Sequence, residues 1–337
     1  MPPPSLTADA VTFGLGAAAA LAASAVLARR LERLGVGLGL SQAGLGLVTA
    51  LAADSPEIAS SVTALQRGQH AVGVGVVLGS NVFNLAWLLG LGALASGRIA
   101  LHRRVVVLEG ALACVMVASA LLLVSGALPV GAALALALAG FAPYAVVVSL
   151  GARTLGRLQQ RGRASAWLAG AVREEDVELG PLPVPAPGPR GLRTDLGAVA
   201  LCLGAVVVAS ALMERTGTVI GARLGAPAIV VGGVMLAAVT SLPNAVSAVY
   251  LARRGRGAAV LSEAMNSNGL NVIAGLLLPG AIVGLGAAGS GGIDVAWWYA
   301  ALTVSSLAVA ASRRGLGRLF GTGIVLAYVA FVLTLVA

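Results

Sequence analysis

Two stretches of this chain carry the same pattern of carboxylate, amide and hydroxyl side chains. Residues 56–84 align with residues 243–271 at a constant offset of 187, without a gap. Each stretch begins with a proline that is followed by Glu57 or Asn244, and each ends in Ser-Asn-x-x-Asn. The oxygen atoms of such groups together form the shell that hard cations such as Ca²⁺ prefer. A duplicated polar motif inside an apolar chain predicts a transport site at the interface of two repeats.

The first stretch is preceded by a second acidic residue, so that Asp54 and Glu57 lie close together in an apolar segment. Ionisable side chains are costly inside a membrane span and usually mark function there. Pro56 removes a backbone hydrogen bond and frees carbonyl groups, which is tolerated at membrane depth only where the backbone lines a site. We therefore predict a broken helix here, with Asp54, Ser55 and Glu57 as cation ligands.

The second stretch differs at the position that matters most for charge. Asn244 stands where the first stretch has Glu57, and Thr240 and Ser241 add hydroxyl groups ahead of the proline. Ser and Asn then recur at i, i+4 spacing in both copies, which places them on one helix face. Such side chains serve either as ligands or as hydrogen-bonded contacts between membrane helices. The predicted cation-binding residues are Glu57, Asp54, Ser55, Ser80, Asn84, Thr240, Ser241, Asn244, Ser267 and Asn271, with Glu263, Asn81 and Asn268 as accessory candidates.

The composition of the chain indicates what kind of scaffold holds these residues. Of its 337 residues, 58% are hydrophobic and 10% are charged, and the mean hydropathy is +0.95. Because soluble proteins carry about 25% charged residues, this composition predicts an integral membrane protein in contact with lipid. All 22 basic residues are arginines, and the net charge is +9. Positive charge gathers in the cytoplasmic loops of membrane proteins, so it does not indicate nucleic-acid binding here.

Apolar runs of about 20 residues predict membrane-spanning helices. The predicted fold is all-α, with two five-helix repeats at residues 1–150 and 195–337 that are joined by a cytoplasmic loop at 151–194. An odd number of spans in each repeat inverts the second copy relative to the first. The ten predicted spans are residues 8–28, 36–64, 71–97, 104–125, 128–150, 195–213, 226–252, 257–285, 293–311 and 318–336.

Arginine placement predicts the orientation of these spans. With the N-terminus outside, 19 of the 22 arginines fall in inward-facing loops. This distribution predicts a multi-pass protein of the cell membrane, plasma or inner, with both termini extracytoplasmic. In the cytoplasmic loop we expect the acidic residues 174–178 to be solvated and the proline-rich residues 181–189 to form an extended linker. Glu109 lies near Arg103 and Arg104, which predicts an ion pair at the membrane face.

The two motifs resemble those of the sodium/calcium exchanger family in the cation/calcium antiporter superfamily. In that family each repeat reads approximately Gly-Thr-Ser-x-Pro-Glu, then a Gly, then Gly-Ser-Asn-x-x-Asn or Asp. The matching positions here are residues 54–57, 68 and 79–84 in the first copy and 240–244, 255 and 266–271 in the second. The resemblance implies ten spans, two inverted repeats and a central cation site. It also implies that Glu57 is a main ligand, that Ser80 and Asn84 join it, and that Ca²⁺ is exchanged for Na⁺ without a cofactor.

The chain departs from the family pattern at three positions that carry charge. Asn244 replaces the expected glutamate, Asn271 stands where many such exchangers have aspartate, and Asp54 is an additional acid. A divalent ion in a site of low dielectric constant needs nearly two compensating charges. Glu57 supplies one, and Glu57 together with Asp54 supplies two. The position of the Asp54 side chain therefore bears on whether a divalent or a monovalent ion is carried.

Three functions remain open from the sequence. The first is a secondary cation antiporter that works by alternating access around Glu57, with Ca²⁺, Na⁺ or H⁺ as transported ions. The second is a diverged member that acts on another ion, with Na⁺/H⁺ or K⁺ coupling, or a membrane scaffold that does not transport, as Asn244 and Asn271 suggest. The third is an intramembrane enzyme, which only the pair of acids supports. The predicted class is a transporter and not an enzyme.

Overall fold

The structure is a computed structural model that describes residues 6–150, 152–179, 189–286 and 289–337. These residues are predominantly helical, and the predicted all-α class is confirmed to that extent. In chain order the helices are α1 (Leu6–Gly37), α2 (Gln42–Ala53), α3 (Ser55–Gln66), α4 (His70–Ser96), α5 (Arg103–Val124), α6 (Val130–Val148), α7 (Ala152–Gln159), α8 (Arg163–Leu179), α9 (Pro189–Arg223), α10 (Ala228–Thr240), α11 (Leu242–Arg253), α12 (Gly257–Val283), α13 (Gly289–Arg313) and α14 (Arg318–Val336).

Eight helices in the described part of the chain are long and apolar enough to cross a membrane. They are α1, α4, α5, α6, α9, α12, α13 and α14. Helices α10 and α11, bent by 48° at their junction, make a ninth if they are counted as one broken span. The predicted span 36–64 is divided between the 12-residue helices α2 and α3. Helices α1 and α9 are longer than predicted, with 32 and 35 residues.

The two helix breaks lie at equivalent positions of the repeated motif. Helix α2 ends and α3 begins around Asp54, and α10 ends and α11 begins around Ser241. Pro56 and Pro243 occupy the first turn of the following helix, where the missing N–H has no intrahelical partner to lose. Each break therefore falls two residues before the proline. Gly68 and Gly255, which also match in the alignment, both adopt φ of +73° in the turns that follow.

Two of the long helices become π-helical directly after the polar motif. The π-helical segment Leu85–Leu91 begins one residue after Asn84 in α4, and Asn271–Leu277 begins at Asn271 in α12. A third segment, Val231–Leu236, lies in α10. Insertions of this kind are frequent at functional sites because they rotate the side chains that precede and follow them. No pattern in the sequence predicted them.

Close packing of glycines joins α4 to α10 at the centre of the molecule. Helix α4 is almost completely buried, and a side chain at Gly79 would overlap the backbone of Gly233. At the periphery, α1 and α9 run antiparallel, since Asp9 pairs with Arg223 at 3.0 Å near one end and Arg30 pairs with Asp195 at 2.7 Å near the other. Small residues at the first contact and ion pairs at the second are two ways of fixing membrane helices against each other.

The contact between Gly79 and Gly233 predicts an effect on stability. Gly79→Ala is expected to lower the free energy of unfolding by about 1–3 kcal/mol, because the added methyl group meets rigid backbone. Gly46 in α2 is the matched control, since it is exposed and an added Cβ would have no heavy atom within 4 Å. Gly46→Ala is expected to be neutral or slightly stabilising. Thermal unfolding of both variants in detergent measures the difference, and equal midpoints would contradict the packing.

Residues of the predicted cytoplasmic loop are folded against the helices. Helix α8 buries Ala169, Ala171 and Val172, and the Oδ1 atom of Asp176 accepts a hydrogen bond of 2.8 Å from the backbone N–H of Ala43 at the start of α2. The expectation that residues 174–178 are solvated is therefore wrong for Glu175, which is buried, and for Asp176, whose carboxylate satisfies a free N–H in the first turn of a helix. The predicted proline-rich linker lies outside the described residues except at its last position.

A small sheet ties the two halves together. Strands β1 (Arg98–Ala100) and β2 (Gly315–Gly317) pair antiparallel, with Ile99 opposite Leu316. They precede α5 and α14 respectively, so they fix the starts of these two helices relative to each other.

Candidate cation-binding site

The two acidic residues of the first motif lie side by side at the centre of the molecule. Asp54 at the α2–α3 junction and Glu57 in the first turn of α3 are both fully buried. Their carboxyl groups are within hydrogen-bonding reach of each other. The Ser80 hydroxyl on α4 lies beside the carboxyl group of Glu57. The break in the helix is what brings Asp54 to this position, since it is the residue at which the backbone changes direction.

Each acid is bonded to the opposite repeat. The Oδ1 atom of Asp54 accepts hydrogen bonds of 2.7 Å from the Asn244 amide on α11 and 2.7 Å from the Ser267 hydroxyl on α12. The Ser241 hydroxyl at the α10–α11 junction donates to Oε1 of Glu57. The pairs Asp54–Asn244 and Ser241–Glu57 are equivalent at the offset of 187 residues. In one pair the acid follows the proline, and in the other it precedes it.

This crossed pairing involves two of the positions that depart from the family motif. Asp54, the additional acid, is bonded to Asn244, which stands where the motif has glutamate. The site therefore holds two carboxylates, although only Glu57 stands at the expected position. Among the described residues there is no group of three or more His, Cys, Asp or Glu placed to hold a metal ion.

The asparagines of α4 and α12 form a reciprocal contact. The side-chain amide of Asn81 donates to the backbone carbonyl oxygen of Asn268 at 3.1 Å. The side-chain amide of Asn268 donates in turn to the backbone carbonyl oxygen of Asn81 at 3.2 Å. The Asn84 amide donates to the Ser267 hydroxyl at 2.9 Å, and the Asn271 amide donates to Oδ1 of Asn81 at 3.4 Å. Asn81 and Asn268 thus bond the two helices to each other, and their role as accessory ligands stays a prediction.

Four acceptor oxygens, on the two acids and on one asparagine each of α4 and α12, are buried without a donor. They are Oδ2 of Asp54, Oε2 of Glu57, Oδ1 of Asn84 and Oδ1 of Asn271. Buried acceptors are rarely left without a partner, because each one has given up its bonds to water. No arginine in the described part of the chain pairs with Asp54 or Glu57. The ion pairs found there are Arg30 and Arg33 with Asp195, Arg67 with Glu214, Arg104 with Glu174 and Arg223 with Asp9.

Three predicted residues make no hydrogen bond to this network. The Ser55 hydroxyl donates to the Ala52 carbonyl at 2.6 Å, and the Thr240 hydroxyl donates to the Leu236 carbonyl at 3.0 Å, each within its own chain segment. Glu263 hydrogen-bonds with Ser247 on α11, interacts electrostatically with Asp54 and has a buried Oε2 without a donor. Their roles as ligands stay predictions.

A family model described as sodium/calcium exchanger protein matches residues 9–151 and 194–337. The chain belongs to this family. The predicted resemblance is confirmed, and the family it names is one of membrane ion exchangers rather than of enzymes. Each of the two matched ranges contains one copy of the motif and one of the two helix breaks.

Solved structures share the fold of this exchanger. The H⁺/Ca²⁺ exchanger CAX superposes with a TM-score of 0.72 at 13% identity, over 96% of this chain and 82% of that protein. The sodium-calcium exchanger NCX_Mj superposes with a TM-score of 0.57 at 18% identity, over 98% and 99% of the two chains. At these identities the likeness concerns the fold.

Curated relatives match this exchanger over a short segment. The sodium/potassium/calcium exchanger 4 of Mus musculus is 36% identical over 74 residues, which are 22% of this chain and 12% of the relative. The sodium/potassium/calcium exchanger 3 of Homo sapiens is 38% identical over 65 residues, which are 19% of this chain and 10% of the relative. The match thus spans about a tenth of the length of these relatives.

The chain has a further buried acid, Glu109, whose partners were predicted wrongly from the sequence. Glu109 on α5 is fully buried, and its Oε1 atom accepts hydrogen bonds from the Tyr144 hydroxyl at 2.7 Å and the Ser262 hydroxyl at 2.8 Å. The predicted ion pair with Arg103 or Arg104 is wrong, since Arg104 pairs with Glu174 on α8 at 3.2 Å. Glu109 and its partners are far apart in the chain, so no local pattern connects them.

Proposed function

We propose that the protein is a secondary cation antiporter that works by alternating access, with Asp54 and Glu57 as the charged ligands of one central site. The observation that carries this proposal is the pair of buried carboxylates that have no arginine partner among the described residues and one oxygen each without a donor, as Asn84 and Asn271 also have. A cation between the carboxylates satisfies these acceptors and compensates the charge. The donor set of carboxylate, amide and hydroxyl oxygens suits a hard cation.

The charge of the site favours a divalent ion. Two like charges about 4 Å apart repel each other by about 4 kcal/mol at an effective dielectric constant of about 20, and a divalent cation removes this repulsion. The printed names of the solved and curated relatives have calcium in common. We therefore propose Ca²⁺ as one transported ion, with Na⁺ or H⁺ as the counter-ion and no cofactor.

We also propose the inverted-repeat architecture, with repeats at residues 1–150 and 195–337 and a cytoplasmic segment between them. In this proposal α2 and α3 form one broken span that corresponds to α10 and α11, which gives ten spans. The reciprocal bonds between Asn81 and Asn268 and the crossed pairs at the helix breaks support a pseudo-two-fold relation. Arginine placement supports extracytoplasmic termini in a cell membrane.

Contact with membrane lipid is supported by the outer helices. Large apolar side chains of α9 face outward, with Leu201 75% and Val208 71% exposed. Exposed apolar surface of this extent marks a membrane or protein interface.

An ion screen tests the proposed function. Purified protein is heated with Na⁺, K⁺, Ca²⁺, Mn²⁺ or no added cation, and flux of each ion is measured in proteoliposomes. A bound ion at 100 times its dissociation constant stabilises the folded state by about 2.7 kcal/mol. We expect Ca²⁺ to raise the unfolding temperature and to move against a Na⁺ or H⁺ gradient. Flux of Ca²⁺ without a counter-ion, or no Ca²⁺ response at all, would contradict the proposal.

A second candidate is a diverged member that carries another ion or does not transport. The amides at Asn244 and Asn271 favour it, because both replace acids that the family resemblance implies. Stabilisation and flux with a monovalent ion alone would support the first form. Absence of stabilisation and of flux with every ion tested would support the scaffold.

A further inference from the structure

Glu109 forms a second buried acidic site that is separate from the Asp54–Glu57 pair. Its carboxylate joins three helices, since it lies on α5 and accepts hydrogen bonds from Tyr144 on α6 and Ser262 on α12. Both bonds go to Oε1, and Oε2 is buried without a donor. Asn266, one turn after Ser262, hydrogen-bonds with Tyr144 and also has a buried Oδ1 without a donor. Two acceptors without donors thus flank one phenol.

No positive charge in the described part of the chain compensates Glu109. Titratable and charged groups on the helices that pack against α5 include Tyr144 on α6, bonded to Glu109 itself; Glu174 on α8, paired with Arg104; Glu175 on α8, near Tyr144; Arg173 on α8, bonded to Gln159; Glu263 on α12, bonded to Ser247; and Tyr299 on α13, bonded to Asn81.

A proton is the ligand that fits this site. An ionised carboxylate buried without a cation costs several kcal/mol, and protonation removes that cost without requiring a cavity. With a hydrogen on Oε2, the two hydroxyl groups continue to donate to Oε1 as they would to a carbonyl oxygen. Oδ1 of Asn266, a residue that hydrogen-bonds with the same Tyr144, is a second buried acceptor that lacks a donor.

We propose that Glu109 is a proton-binding site of the exchanger, coupled to the central cation site through helix α12. The link is short, because Asn266 precedes Ser267, whose hydroxyl donates to Asp54 at 2.7 Å. The proposal rests on the proposed transport function. Coupling of this kind is reciprocal, so that protonation of Glu109 changes cation affinity by the same factor as cation binding changes the proton affinity.

Tyr144 also lies close to α8. It is one turn before the end of α6 and lines a cavity of about 290 Å³ between α5, α6 and α8, and Glu175 of α8 interacts with it electrostatically. In the proposed orientation this is the cytoplasmic side. The other residues that line the cavity are apolar.

The test is the pH dependence of Ca²⁺ transport in wild type and in Glu109→Gln, measured in proteoliposomes between about pH 5 and 9. Glutamine mimics the protonated carboxyl, so the variant is expected to keep transport and to show at high pH the half-saturating Ca²⁺ concentration that wild type shows at low pH. The pH-dependent change lost in the variant is expected to be at least about 5-fold. Tyr144→Phe, which keeps the acid and removes one donor, is expected to move the pH step without abolishing it.

Profiles of wild type and Glu109→Gln that coincide would overturn the proposal. If Glu109→Gln fails to fold in a detergent unfolding assay, the profiles of Tyr144→Phe and Ser262→Ala decide, and an unchanged pH step in both overturns it equally. Two variants distinguish failure of the proton-site proposal from failure of the proposed transport function. Glu57→Gln without effect on flux contradicts the antiporter, whereas loss of flux in Glu57→Gln with an unaltered pH profile in Glu109→Gln contradicts only the proton site.

Discussion

Replacing Asp54 with serine is expected to weaken apparent Ca²⁺ affinity at least about 30-fold, since truncating one partner of a buried charged interaction costs about 2 kcal/mol or more. The variant leaves Glu57 as the one carboxylate of the pair against a divalent ion. Serine is suited to the position, because Ser241 occupies the equivalent junction of the second repeat and donates to Glu57. The half-saturating Ca²⁺ concentration for flux in proteoliposomes measures the effect.

A second substitution separates the loss of charge from the loss of structure. Asn244→Glu in the Asp54→Ser background returns the acid to the position that the family motif implies, opposite a serine. We expect affinity to recover to within about 3-fold of wild type, as a double-mutant cycle with strong coupling requires. Asn244→Glu alone is expected not to improve Ca²⁺ transport, because the third carboxylate would lie against Asp54, whose Oδ1 is 2.7 Å from the Asn244 amide nitrogen. If the double variant binds Ca²⁺ no more tightly than Asp54→Ser, the proposal that an acid at position 54 replaces one at position 244 is contradicted.

Glu57→Gln is expected to have an effect of similar size, with at least about 30-fold weaker Ca²⁺ affinity. The amide keeps the shape of the side chain and a carbonyl oxygen for the Ser241 hydroxyl, so the change is mainly one of charge. Glu174→Gln is the matched control, since this acid on α8 is partly exposed and pairs with Arg104 at 3.2 Å, away from the Asp54–Glu57 pair. We expect the control to change affinity by less than about 3-fold, as surface charges do. Equal effects of the two variants on Ca²⁺ affinity would contradict the proposal that Glu57 is a charged ligand of the cation.

The sequence predicted the positions of the site on the chain but not its contacts. The alignment identified Glu57, Ser80 and Asn84 through the family motif, and the turn glycines Gly68 and Gly255 through their equivalence. It also located both helix breaks within two residues, because a proline in an apolar segment has few places in which it is tolerated. These features are local, and local patterns can be read from one chain.

The contacts that define the chemistry join residues far apart in the chain. Asp54 and Asn244 are 190 residues apart, and Glu109 and Ser262 are 153 apart. The sequence shows that Asp54 is an added acid and that Asn244 is a missing one. Only the packing of α2, α3 and α11 shows that the two are bonded partners. The π-helical segments beside Asn84 and Asn271 escaped prediction because they depend on tertiary packing rather than on residue type.

The most direct test of the central claim is anomalous X-ray scattering from crystals grown with Ca²⁺, for wild type and Glu57→Gln. The account predicts one anomalous peak in wild type within about 2.3–2.6 Å of oxygens from both Asp54 and Glu57, the range for Ca²⁺–oxygen bonds. The same peak is expected to be absent or strongly weakened in Glu57→Gln at equal Ca²⁺ concentration. A Ca²⁺ peak elsewhere in the membrane region, or one that contacts neither carboxylate, would contradict a site built on the Asp54–Glu57 pair.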